Sequence, residues 1–258
     1  MVAGGTAGIT TGETHMDEQL FKKAIVEFIG PFALCFMGIG AIVLTGGADT
    51  PALIAIALAH GLAIGLLVMA AGHISGGFFN PAVTLGMIVT RRIDAYAGGI
   101  YIVAQMLGAV VGTLFVLMAF PESMRDAVNL GVPAVGGAFS TGNALVAEIA
   151  GAFFLVFVIF GVAVDQRSSK GIGGLVIGLS ITMAILATGP IGGAALNPAR
   201  WFGPALVGGH WDDFWIWLVG PIVGAVVAAT LFNDVLIGDE GLGERVKPIV
   251  NRARAKAR

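Results

Sequence analysis

His73-Ile74-Ser75-Gly76-Gly77-Phe78-Phe79-Asn80-Pro81-Ala82-Val83-Thr84 ends a polar break and opens a short apolar stretch, and its tripeptide Asn80-Pro81-Ala82 returns as Asn197-Pro198-Ala199. Asn is a strong N-cap and Pro is favoured at the first helical position, so each copy predicts the start of a helix of about ten residues. At ~1.5 Å per residue such a helix reaches ~15 Å, about half of a ~30 Å hydrocarbon core. Two half-helices in a membrane protein imply a lined path, because irregular backbone at membrane depth is tolerated only against protein or a watery cavity.

The rest of the chain supplies the membrane. It is 57% hydrophobic and 12% charged, with a mean hydropathy of +0.91, which places it among integral membrane proteins. Apolar spans are expected at Ala24–Leu44, Ala52–Ala71, Tyr96–Phe120, Ala144–Val164, Ile172–Thr188 and Phe214–Leu236, each long enough to cross or nearly cross a bilayer. Six spans put both termini on one side. Residues 1–21 are expected to be a flexible tail without the apolar core of a signal peptide, residues 22–237 the channel-forming domain, and 238–258 a basic tail.

With cytoplasmic termini, Lys22, Lys23, Arg91, Arg92, Arg167, Lys170 and the basic residues from Arg245 to Arg258 lie inside, and Arg125 lies in an outer loop. That asymmetry sets the orientation. The net charge of −2 therefore hides a separation by side and gives no footprint for nucleic acid; the basic tail reads as solvated or as touching lipid headgroups. Cys35 is the single cysteine, which excludes an intramolecular disulfide or a cysteine metal site.

The two halves, about 22–120 and 142–237, are related. Glu27-Phe28-Ile29-Gly30-Pro31-Phe32-Ala33-Leu34-Cys35-Phe36 matches Glu148-Ile149-Ala150-Gly151-Ala152-Phe153-Phe154-Leu155-Val156-Phe157 at Glu, Gly, Phe, Leu and Phe. Gly61 precedes Asn80 by 19 residues, as Gly178 precedes Asn197, and Gly108-Ala109-Val110-Val111 answers Gly224-Ala225-Val226-Val227. Three spans per repeat is an odd number, so the second half inserts inverted. Inversion brings the two capped N-termini together near the bilayer midplane. Each contributes about +0.5 charge equivalent and an Asn amide donor, which suits a neutral oxygen-bearing solute and opposes cations and protons.

These features resemble the aquaporin, or major intrinsic protein, family: six spans, two Asn-Pro-Ala boxes, Arg200 directly after the second, and Glu27 and Glu148 in the first span of each half. The resemblance covers about Glu27–Val235. It implies an all-α membrane fold of six transmembrane helices and two re-entrant half-helices, a homotetramer with a pore in every protomer, and a passive channel needing no cofactor or metal. Water would pass, with ammonia, urea or hydrogen peroxide as further solutes. By their distance from the boxes, the family's filter positions fall on His60, Ile185, Ala194 and Arg200. This set is similar to that of plant vacuolar-membrane aquaporins, while Trp201, where glycerol facilitators usually carry Asp, argues against a dedicated glycerol channel. Within the family the intramembrane Glu accepts hydrogen bonds from the re-entrant loop, the role expected of Glu27 and Glu148.

Several residues have plainer readings. His73 is expected to line the pore rather than to gate it, His15 and His210 to be tail and loop residues, and Cys35 to pack. Gly61/Gly65, Gly108/Gly112 and Gly220/Gly224 have the spacing that lets helices approach closely. Trp211, Trp215 and Trp217 read as an interfacial belt, and Ser168–Ser169 as a connecting loop. A broad glycerol and small-solute facilitator is the alternative function. A proton-coupled transporter using Glu27 and Glu148 is weaker, and an enzyme weaker still, since no nucleophile and base share a pocket. A prokaryotic plasma membrane is the expected location.

Overall fold

The structure, a computed structural model, describes residues 11–47, 50–168 and 171–238, apart from the side chains of 11–17 and 50. The expected basic tail, His15, Ser169 and Lys170 thus lie outside the described residues or side chains. Half of the expected N-terminal tail is helical: α1 runs over Thr11–Thr45. It is followed by α2 (Thr50–Ser75), α3 (Pro81–Val89), α4 (Ala95–Ala119), the short helix α5 (Glu122–Asp126), α6 (Thr141–Ile159), α7 (Gly173–Gly192), α8 (Pro198–Gly208) and α9 (Ile216–Thr230). No strand occurs among the described residues. Six stretches, Glu18–Thr45, Pro51–Ser75, Ala95–Ala119, Thr141–Val164, Gly173–Gly192 and Ile216–Leu236, are long and apolar enough to cross a membrane.

The protein is an all-α membrane fold, six transmembrane helices and two half-helices in an inverted repeat. Helix α1 packs on α4 as its repeat partner α6 packs on α9, and α2 meets α7 across the line where the halves join. Close approach explains the glycines. A Cβ at Gly108 or Gly112 would strike the carbonyls of Phe28 or Phe32 on α1, one at Gly224 the carbonyl of Ile149 on α6, and one at Gly178 the carbonyl of Gly61. Outward-facing Met37, Leu62, Val103, Phe154 and Val227 are exposed, as lipid requires. The apolar interior therefore owes its packing to shape, since lipid gives helices no hydrophobic drive toward one another.

Helices α6 and α9 both finish in π-helical turns, Phe160–Val164 and Leu231–Leu236. Beside the second, Arg92 donates from Nε (3.2 Å) and Nη2 (2.7 Å) to Asn233 Oδ1, and Arg167 Nη2 donates to Leu236 O at 3.2 Å. The fold thus gathers two of the basic loops against the end of the last span.

Candidate functional site: a pore between two capped half-helices

Asn80 and Asn197 adopt extended backbone (φ −156°, ψ 122° and φ −150°, ψ 110°) and cap α3 and α8, of 9 and 11 residues, with Pro81 and Pro198 in the first turn. Asn80 Oδ1 accepts from Ala82 N at 2.8 Å, and Asn197 Oδ1 from Ala199 N at 2.9 Å. With each oxygen turned into its own helix, each amide is free to face the other repeat. Asn80 Nδ2 donates to Leu196 O and Asn197 Nδ2 to Phe79 O, both at 2.9 Å. An amide has two N–H groups, so one on each Asn remains for the lumen.

The loops leading to the two caps are built alike. Four, three and one residues before each Asn, the backbone is left-handed: Gly76 (φ 100°), Gly77 (64°) and Phe79 (52°) in one, Gly193 (81°), Ala194 (46°) and Leu196 (54°) in the other. Non-glycine residues adopt this region at a cost, and buried glutamates hold it in place. Glu27 Oε1 accepts from Phe78 N (3.0 Å) and Oε2 from Phe79 N (2.7 Å), while Glu148 accepts from Ala195 N (2.7 Å) and Leu196 N (2.8 Å). Three residues beyond each Glu, Gly30 and Gly151 leave room for the side chains of Phe79 and Leu196, which a Cβ would strike. The matched Glu-x-x-Gly pairs therefore seat the same loop residue twice, once by its N–H and once by its side chain.

The two glutamates differ in their remaining partners. Glu27 also accepts from Ser75 Oγ (2.6 Å) and Gln105 Nε2 (2.7 Å), and Gln105 Nε2 reaches Thr84 Oγ1 at 2.9 Å. In the second repeat Pro221 and Trp201 stand where Gln105 and Thr84 stand in the first. Among the described residues Glu148 has its two backbone donors alone.

Carbonyl groups complete the wall. Ser75 O, Phe79 O and Asn80 O accept hydrogen bonds from Tyr101, Asn197 and Thr84, whereas those of Gly76, Gly77 and Phe78 accept none among the described residues. The second loop repeats the pattern: the carbonyls of Gly193, Ala194 and Ala195 accept none among the described residues. Gly77, Phe78, Ala194 and Ala195 line a narrow cavity together with both Asn residues, opposite Leu34, Ile64, Val83, Leu155, Ile159, Ile177 and Ile181. One side of the path accepts hydrogen bonds and the other cannot.

A second cavity is lined by Asn129, Gly131, Pro133 and Gly189 among others, and the two share His60, Ile185 and Arg200. Those three residues, all buried, stand where the cavities meet; Ala194 lines the narrow one. Arg200 Nη1 donates to Gly131 O at 2.8 Å, and Gly131 ends a run of left-handed residues from Asn129 that turns this loop carbonyl toward the guanidinium. His60 Nδ1 lies 2.8 Å from Ile56 O, an acceptor only, so Nδ1 carries the proton and Nε2 is the lone pair that receives Arg200 Nε at 3.4 Å. The ring is a neutral acceptor facing a cation.

The sequence model of the family described as "Major intrinsic protein" matches residues 14–232. The chain belongs to the major intrinsic protein family. Among its relatives, aquaporin-4 of Bos taurus is 39% identical over 240 residues, covering 91% of this chain and 74% of the relative. Aquaporin TIP4-4 of Zea mays is 37% identical over 234 residues, 87% of this chain and 90% of the relative. A solved structure of the same fold, the aquaglyceroporin from Plasmodium falciparum, superposes with a TM-score of 0.73 at 27% identity, covering 84% of this chain and 97% of that one. Six spans, an inverted repeat and paired half-helices are thus family architecture.

The structure brings together Asn80, Asn197, His60, Ile185, Ala194 and Arg200 along one path, with Glu27 and Glu148 behind its loops. His73 stands apart: it lies in the last turn of α2, exposed, and lines neither cavity. Trp217 differs from the expected interfacial belt. It is 1% exposed, its Nε1 donates to Gly192 O at 2.8 Å, and its ring stacks on the buried Trp201; Trp211 and Trp215 remain at the surface. Sequence reasoning missed Gln105, Tyr101, Gly38 and Gly131. Repeat register could have found Tyr101, which stands seven residues before Gly108 as Trp217 stands before Gly224.

Proposed function

We propose that the chain is a passive channel for water that also admits ammonia, urea or hydrogen peroxide and excludes protons and ions. The observation that carries this reading is the junction of the two cavities at His60, Ile185 and Arg200. A solute there meets one fixed cation, one neutral acceptor and an aliphatic wall, which favours a small neutral molecule able both to accept and to donate. Deeper in, the two Asn amides offer donors only, so a water between them must turn its own hydrogens outward. That arrangement opposes proton relay along the file, and the half-helix N-termini add a positive barrier. Names of relatives, aquaporin-4 and aquaporin TIP4-4, support the same reading.

A broader facilitator for glycerol-sized solutes is the second reading. Ile185 and Ala194 bring no polar side chain to the junction, and the structural relative is titled an aquaglyceroporin. The gathering of Arg92 and Arg167 beside the last span supports cytoplasmic termini in a plasma membrane. A homotetramer, one pore per protomer, is the assembly proposed.

Stopped-flow light scattering on proteoliposomes under sucrose, glycerol, urea and ammonium gradients decides between the readings. Fast water flux with slow glycerol entry supports the narrow filter. Rapid glycerol entry supports the broad facilitator, and water flux no faster than in protein-free liposomes overturns both.

A further inference from the structure

Trp217 touches both ends of the segment that carries the outer part of the pore. At the near end its Nε1 donates to Gly192 O at 2.8 Å. At the far end its ring lies 6.5 Å from that of Trp201 and within 14° of parallel, and Trp201 directly follows Arg200. Between these anchors run the left-handed Gly193 and Ala194, the free carbonyls of Gly193, Ala194 and Ala195, and Arg200 itself.

The tied carbonyls flanking this segment fix where the free ones point. Ile191 O accepts from Gly136 N at 3.0 Å, Gly192 O from Trp217, and Leu196 O from Asn80. Gly192 is thus the last carbonyl held before the free run. In the first repeat the same place is taken by Ser75, whose carbonyl accepts from Tyr101 OH at 2.8 Å. Ser75 has a second tie through its hydroxyl to Glu27. Gly192 has no side chain, so the indole is the single hydrogen-bond donor to this point from outside α7 among the described residues.

We propose that Trp217 is a positioning residue for the filter: its N–H sets the direction of the Gly193–Ala195 carbonyls, and its face, through Trp201, steadies the backbone that carries Arg200. The inference rests on the channel reading above. Its ligand is the protein's own loop, and its consequence is solute discrimination rather than conduction as such. Tyr101 does the corresponding work on the other side of the Asn pair.

The repeat itself supplies the test. Trp217→Phe removes the N–H and keeps an aromatic ring, whereas Trp217→Tyr restores a donor of the kind the first repeat uses. The ratio of urea to water permeability in proteoliposomes is compared with wild type and with Tyr101→Phe. A buried hydrogen bond is worth a factor of about three to ten, so Trp217→Phe is expected to raise the ratio by that much. Trp217→Tyr is expected to leave it near the wild-type value, and Tyr101→Phe to shift it by less than Trp217→Phe does, because Ser75 keeps its hydroxyl tie to Glu27. An unchanged ratio in Trp217→Phe, or equal shifts in the Phe and Tyr variants, overturns the inference while wild-type water flux keeps the channel reading standing. Wild-type protein without water flux overturns both. Should Trp217→Phe not fold, Trp217→Tyr decides alone: a folded variant with a wild-type ratio supports the role, and a threefold departure, the scale of one lost hydrogen bond, refutes it.

Discussion

Phe79 and Leu196 hold the same position in the two repeats, each one residue before an Asn cap, each left-handed at φ 52° and 54°, and each giving its carbonyl to the other repeat's Asn at 2.9 Å. The two loops are therefore fastened to one another at the Asn pair itself. Each is also fastened to its own first span by a glutamate and seated over a glycine. Mutations at these supports separate structural from conductive roles.

Loss of either glutamate leaves buried donors unpaired. Glu148→Ala strands the N–H groups of Ala195 and Leu196, at about 1–3 kcal/mol each. Glu27→Ala strands two N–H groups and also the Ser75 and Gln105 donors, so it is expected to be the more damaging. Thermal stability in detergent, read as surviving monodisperse protein, ranks the variants. Equal tolerance of both would contradict the supporting role.

Gly30→Ala and Gly151→Ala should each unseat a loop residue, since a Cβ would overlap Phe79 or Leu196. Overpacking of this kind costs about 1–3 kcal/mol, enough to reduce both yield and water flux. Gly99→Ala is the control, because nothing lies within 4 Å of a Cβ there. The same assay gives the comparison, and a harmless Gly151→Ala would show that Leu196 has room to spare.

His60 is limited from behind by α1. A Cβ at Gly38 would meet its Nε2 edge, the edge that Arg200 Nε also reaches, while Ile56 O holds the ring at Nδ1. Gly38→Ala is expected to push the imidazole toward the lumen and cut water permeability by about tenfold, the effect of roughly 1.4 kcal/mol of overpacking. Water flux at the wild-type rate in the folded variant would remove His60 from the constriction.

Mercurials give a test that needs no new solute. Cys35 is fully buried among Ile39, Ala109 and Ala199, and lines neither cavity. Wild-type flux is expected to be insensitive to mercuric chloride, whereas Ala194→Cys, placed on the narrow cavity, is expected to become blocked and to recover with thiol reagent. Inhibition of the wild type would put Cys35 within reach of the path.

Much of the architecture was legible because the signals were local: caps with proline at N1, apolar spans, and a repeat whose offset matched Glu27 to Glu148 and Asn80 to Asn197. His60 and Arg200 are named by the family resemblance, whose filter positions are placed by distance from the boxes. What the residues could not show is how long-range contacts divide identical-looking side chains. Trp217 shares its apolar neighbourhood with Trp211 and Trp215, and only the position of Gly192 O, 25 residues away, makes it an interior donor. Gln105 reads as an ordinary polar residue in a span until Glu27, 78 residues away, is placed beside it. His73, close in sequence to Asn80, is exposed in the last turn of α2 and lines neither of the two cavities.

The crossed amides also set an order of assembly during synthesis. Glu27, Ser75, Gln105 and Thr84 belong to the first half, so its loop can be braced as soon as α4 has entered the bilayer. Phe79 O, by contrast, has its donor 118 residues further along the chain. Until Asn197 emerges from the ribosome and crosses to meet it, the first half is a braced but unlatched piece. Arrival of the second re-entrant segment is therefore the step at which the nascent chain closes on itself.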